Sequence, residues 1–170
     1  GYVLKQIGQL TRTPVILLTG TALLILLVDI LPGGPYRSFW SPYYRILYNQ
    51  ARQDIHVNNI FHQTMLPGEH DALYSLIHLL QRDAGGRPFA DVLIIGAGTG
   101  NDLAHSLRLG AQQIDAVEID PVIQGLGAQY HPERPYHDPR VQVHLDDGRN
   151  FLRRTDRTYD LVVYALVDSL

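Results

Sequence analysis

Apolar positions change their period several times along the chain, and each change predicts an element. Val92 to Ile95 is a short continuous apolar run, which suits a strand covered on both faces of a parallel sheet. Gly96, Gly98 and Gly100 follow on alternate positions. Asn101 to Leu109 then reads as a helix, with Leu103 and Leu107 on one face and Gly110 as its C-terminal stop. Residues 114–119 predict the next strand. Asp120-Pro121 predicts an N-cap with proline at the first helical position. Helices at 121–130 and 148–154 and strands at 141–145 and 159–165 continue the alternation. Right-handed crossovers put 91–95 in the centre and order the four strands 3-2-1-4, counted from 91–95. The fold class is α/β, a Rossmann-like doubly wound parallel sheet in partial form. Doubly wound sheets carry more strands than this. The chain is therefore expected to be a fragment cut at both ends, which leaves the fourth strand as an open edge.

Upstream the pattern is different. Asn58-Asn59, between the short apolar segments 55–57 and 60–62, fits a tight hairpin turn, so 41–65 reads as a small antiparallel piece. From Glu69 to Arg82, Leu73, Leu76, Ile77 and Leu80 recur at helical spacing. Val15 to Leu31 is nearly all apolar over 17 residues and lacks amphipathic periodicity. A helix there, at about 15–31, has the marginal length of a membrane span (roughly 17–25 residues). Pro32-Gly33-Gly34-Pro35 would stop it, and Tyr36, Trp40 and Tyr43 suit a membrane interface. A signal peptide or a buried core helix is the alternative. The expected organisation is an N-terminal segment 1–35 with the transmembrane helix, a hairpin-and-helix region 36–88, and a nucleoside-binding domain 89–170.

The glycine turn suggests the chemistry. Glycines admit positive φ and a close ligand approach, and the helix after the turn aims free N–H groups at whatever lies over it. Glu118 lies 22 positions after Gly96, at the tip of the second strand, where an acid accepts from ribose hydroxyls. The competing reading is a structural turn with a surface Glu. A dinucleotide fold usually carries Gly-x-Gly-x-x-Gly/Ala, whereas here Asn101 takes the last place and the third glycine comes one residue early. Lys5 is the only lysine, so there is no P-loop lysine. The turn is instead of the S-adenosylmethionine type.

Several collinear motifs carry a resemblance. They are Ile94 to Asn101, Glu118-Ile119-Asp120-Pro121, Asp138-Pro139-Arg140-Val141, Asp146-Asp147-Gly148 and Tyr159-Asp160-Leu161-Val162-Val163. Upstream lie Ser41-Pro42-Tyr43-Tyr44 and Val57 to Gln63. Over roughly 40–170 the chain resembles spermidine synthases and, more broadly, polyamine aminopropyltransferases, which share the class I methyltransferase-like fold. The resemblance implies that the glycine turn (Gly96, Gly98, Gly100 and Asp102) and Glu118 bind S-adenosylmethionine or its decarboxylated form, with Glu118 on the ribose and Asp147 and Gly148 facing the adenine. From its own residues, Asp147 reads as the N-cap of 148–154. The chain departs from the family pattern at Thr99, where the family has Asp, and at Tyr44, where it has Gln. Ala72 and Leu73 stand in place of a Tyr-His pair. At the fourth strand's tip the family has two acids; Ala165 replaces the first, the proton acceptor, and Asp168 matches the second. Asp168 is the candidate catalytic residue, orienting the amine.

Composition adds exclusions. The net charge of −3 carries no nucleic-acid signal, and Arg149, Arg153, Arg154 and Arg157 read as a solvated helix face. With no cysteine there is no disulfide or thiol nucleophile. The eight histidines show no metal-ligand spacing, and His131 and His137 read as surface residues of a proline-rich loop. No metal is expected. The partners expected are a small-molecule acceptor (a polyamine or an unknown molecule), the membrane through 15–31, and a second copy in a homodimer. S-Adenosylmethionine is cytosolic, so the domain would face the cytosol from the cytoplasmic membrane. Three functions fit: a spermidine-synthase-like transferase of polyamine biosynthesis, a methyltransferase on an unknown acceptor, and a non-catalytic nucleoside sensor or transport-linked module. A dinucleotide oxidoreductase fits less well.

Overall fold

The computed structural model describes residues 16–24, 35–67 and 72–165. The chain divides into two units, residues 1–36 and 37–170. In the first, 16–24 form a helix (α1) with every residue exposed. Thr21 Oγ1 in this helix donates to the Leu17 carbonyl at 2.8 Å. The predicted span of about 15–31 lies outside the described residues except for 16–24. Among the described residues no helix is long and apolar enough to cross a membrane.

The second unit begins with four neighbouring strands, β1 (Tyr36–Trp40), β2 (Arg45–Asn49), β3 (Asp54–Val57) and β4 (Ile60–Thr64), in the order β1-β2-β3-β4. This sheet is larger than the hairpin region expected from sequence. β2–β3 and β3–β4 are antiparallel. Asn58 and Asn59 both take positive φ, 50° and 67°, which is the type I′ geometry that matches strand twist. Alternate residues Ile46, Tyr48, Ile55 and Val57 are buried against Ile123 and Leu126 of a helix from the second layer.

That layer contains helices α2 (Ala72–Asp83), α3 (Asn101–Arg108), α4 (Pro121–Tyr130) and α5 (Gly148–Arg154) and strands β5 (Asp91–Ile95), β6 (Gln113–Glu118), β7 (Val141–Leu145) and β8 (Leu161–Tyr164). The strand order is β7-β6-β5-β8, and all pairings are parallel. This is the expected 3-2-1-4 arrangement. The two faces of β5 explain its continuous apolar run. Val92 and Ile94 pack with Leu103 on one side, while Leu93 and Ile95 pack with Phe151 on the other. Asp115 of β6 shares the Phe151 side and is 1 % exposed. Its carboxylate accepts from His144 Nε2 at 2.8 Å, Arg157 Nη1 at 2.7 Å and Tyr159 OH at 2.8 Å. A buried charge persists only with such partners. Arg157 is accordingly half-buried in an ion pair and does not belong to a solvated face, as the sequence pattern had suggested.

One further expectation is corrected. His131 is buried at 1 % exposure, not a surface residue. The helix predicted from Leu73, Leu76, Ile77 and Leu80 is present, and its apolar stripe is exposed, Leu73 by 72 %. α2 instead packs on α3 through Ser75, which bonds His105 Nδ1, and through His78, whose Nε2 lies 3.2 Å from Ser106 Oγ. This seam is polar because α3 presents His105 and Ser106 on that side.

Candidate functional site

The parallel ladder continues past the strand ends and aligns the candidate residues along one edge of the sheet. Gly96 N and Ala97 N both donate to the Val117 carbonyl, at 2.9 and 3.0 Å. Asp146 N donates to the Glu118 carbonyl at 3.1 Å, and Ala165 N to the Ile95 carbonyl at 3.0 Å. Above this edge lies a cavity of about 840 Å³. Gly96, Gly98, Asp102, Glu118, Asp147, Gly148 and Ala165 line it, so three strand tips and the glycine turn meet in one place. Ligands of open α/β sheets bind at such carboxyl ends. Gly100 is not among the lining residues. A Cβ there would meet Pro135 at 2.8 Å and Tyr136 at 3.2 Å, so it faces the loop behind the turn. Asp168 lies outside the described residues.

The turn needs its glycines: Gly96, Gly98 and Gly100 all take positive φ, 78°, 56° and 104°, which side chains disfavour. Glu118 is buried and holds the turn from the next strand. Its Oε2 accepts from Gly98 N at 2.7 Å and its Oε1 from Asp120 N at 2.8 Å. Burial pushes the Glu118 carboxyl up, and the backbone donors act against that shift. A carboxylate has about four acceptor sites, so these backbone donors leave capacity for a ligand hydroxyl. Asp120 caps α4 as expected, accepting from Val122 N at 2.8 Å and Ile123 N at 3.2 Å. Its other oxygen accepts from Ser41 Oγ at 2.5 Å, which ties the first sheet to the site. Asp147 caps α5, accepting from Arg149 N at 2.8 Å. Among the described residues no group of acids or histidines is arranged to hold a metal ion.

Thr99 is fully buried and is not a lining residue. Its Oγ1 donates to Gln63 Oε1 at 2.8 Å. Its backbone is pressed by α4: a Cβ on Gly127 would lie 2.3 Å from the Thr99 carbonyl oxygen. Asp102 does line the cavity, and burial pushes its carboxyl up to about 6.

A family model for the spermine/spermidine synthase domain matches residues 79–170, more than half of the chain. The chain belongs to the spermine/spermidine synthase domain family. Polyamine aminopropyltransferase from Serratia proteamaculans is 39% identical over 83 residues, covering 46% of this chain and 29% of that protein. The enzyme of the same name from Hamiltonella defensa is 37% identical over 83 residues, with the same coverage. This chain thus spans under a third of the length of these curated relatives. Spermidine synthase from Thermotoga maritima superposes with a TM-score of 0.56 at 18% identity, over 79% of this chain and 48% of that one. A probable spermidine synthase from Corynebacterium glutamicum gives 0.59 at 15% identity, over 79% and 53%. A spermidine synthase in complex with the transition-state analogue AdoDATO gives 0.57 at 17% identity, over 75% and 47%. These structural likenesses bear out the expected fold.

Three contributors were not evident as site residues from the sequence. Asn101, at the place of a missing glycine, accepts from Leu66 N at 3.2 Å and donates to the Thr64 carbonyl at 2.8 Å and Tyr74 OH at 3.2 Å. His131 Nδ1 accepts from Glu133 N at 3.2 Å, so the neutral ring carries its proton on Nε2, which donates to Asn101 Oδ1 at 3.1 Å. Tyr136 OH donates to the Gly98 carbonyl at 2.6 Å. The only sequence signal for Asn101 is its departure from the dinucleotide pattern. None marks the other two.

Proposed function

We propose that this chain carries the nucleoside-binding part of an aminopropyltransferase. The substrate bound is decarboxylated S-adenosylmethionine, and the acceptor is an amine, with polyamine biosynthesis as the setting. The observation that carries the reading is Glu118: a buried carboxylate at a strand tip, bonded to the glycine turn and lining the cavity. In this reading the ribose hydroxyls donate to Glu118, and the purine lies toward Asp147 and Gly148. Family membership and the names of the relatives support aminopropyl transfer.

The amine nitrogen would attack the carbon beside the sulfonium. A C–N bond forms, the C–S bond breaks with its electrons going to sulfur, and the nitrogen loses a proton to solvent water. Ala165 cannot take that proton, and Asp168 is proposed to orient the amine. A positioned base contributes roughly 10²–10⁴ in rate, so slow turnover follows from Ala165. Attachment to the cytoplasmic membrane through 15–31, with the remainder on the cytosolic side, is proposed on the apolar run alone; the homodimer is likewise a proposal. A reporter fused after residue 90 that appears outside the cell would sink that orientation.

The test is calorimetry with 5′-methylthioadenosine, followed by turnover of decarboxylated S-adenosylmethionine with putrescine. Saturable binding and release of methylthioadenosine are expected. Binding without product would keep the nucleoside site, overturn the transfer step and favour a sensor.

A further inference from the structure

The glycine turn is held from behind by a residue that never meets the cavity. Tyr136 is buried, and burial raises its phenol well above the ordinary range, so it stays a proton donor at any working pH. Its hydroxyl bonds the Gly98 carbonyl, while the Gly98 N–H bonds Glu118. The two bonds fix both peptide groups of one glycine, in a left-handed conformation that glycine can leave easily. Behind the same ring, Gly100 has no room for a Cβ. Loss of the Tyr136 bond would leave the 98–99 peptide with only the long Thr99 N–H bond to Gln63 Oε1, at 3.4 Å, and a shift in ψ at Gly98 would tilt the adjoining 97–98 peptide, whose N–H aims Glu118.

We propose that Tyr136 is a positioning residue for the ribose-binding carboxylate, acting through Gly98 to set the direction in which Glu118 presents its free acceptor sites. This rests on the nucleoside reading above. A misdirected Glu118 weakens a hydrogen bond to a charged group, so the loss should be on the order of tenfold in affinity. The effect should be confined to ligands with ribose hydroxyls, because only these use Glu118.

The experiment compares 5′-methylthioadenosine with its 2′,3′-dideoxy analogue by calorimetry, on the wild-type chain and on Tyr136→Phe. About a tenfold loss for the ribonucleoside, with the dideoxy affinity unchanged within about twofold, is expected. Equal loss for both ligands, or no loss for either, overturns the proposal and leaves Tyr136 as ordinary packing. A wild-type chain that binds neither ligand overturns the nucleoside reading instead, and the proposal with it. Should Tyr136→Phe not fold, 3,5-difluorotyrosine at position 136 keeps the ring and the donor and strengthens the donor. A raised preference for the ribonucleoside supports the proposal, and an unchanged preference overturns it.

Discussion

Glu118 has each carboxylate oxygen against a backbone N–H, and this makes its charge useful to a ligand and to the turn at once. Glu118→Gln keeps the size but replaces one acceptor with a donor that faces an N–H. Hydrogen bonds to charged groups are worth about 1.5–3 kcal/mol, so methylthioadenosine affinity should fall roughly 10- to 100-fold, as read by calorimetry. Asp102 makes a pH prediction. Its folded carboxyl protonates near 6, against an ordinary value of 3.8, because burial disfavours the charge. Between those values the native state binds more protons than the unfolded one, so stability falls as pH rises through the window. The full effect is about 3 kcal/mol from the shift of some two units. Asp102→Asn should therefore be more stable than the wild type in urea at pH 8 and no more stable near pH 4. An equal difference at both pH values would refute this.

At the scale of elements, the start of α3 is a junction. Asn101 uses both amide hydrogens and both oxygen lone pairs, linking the residues after β4, α2 and the loop after α4. Asn101→Ala strands several buried groups and should cost roughly 2–4 kcal/mol, seen as a lower urea midpoint. His131 sits in the same junction with its protonation pushed down to about 4, chiefly by burial. An ordinary histidine takes its proton near 6.5, so the unfolded chain binds more protons between about 4 and 6.5. Stability should then fall as pH drops through that window. In His131→Gln the slope of the urea midpoint against pH should flatten there; an unchanged slope would assign the acid sensitivity elsewhere. The same junction shows which face of α2 packs inward. Helical periodicity marks an apolar stripe but not the neighbour that meets it, and here the neighbour is α3's His105 and Ser106.

Among the described residues, the exposed stripe of α2, which also lines the cavity, and Val162 and Tyr164 of β8 present apolar surface. Such surface promotes association. Light scattering should show concentration-dependent self-association, and Leu76→Glu with Leu80→Glu should reduce it; an unchanged profile would place the contact elsewhere.

The parallel sheet, its order and the glycine turn followed from the sequence alone, because they depend on local rules. A two-sided apolar run makes a central strand, alternate glycines make a left-handed turn, and crossover handedness leaves one order. Asp120 and Asp147 as caps were legible for the same reason, since a cap and its helix are neighbours in sequence. What only the tertiary structure decided is which distant side chains hold these parts. Tyr136 behind Gly98, Gln63 on Thr99, Ser41 on Asp120 and His131 on Asn101 are pairs separated by 30 to 79 positions. No periodicity carries such pairs, because they arise where folded layers meet and a buried polar atom takes the partner the packing brings to it.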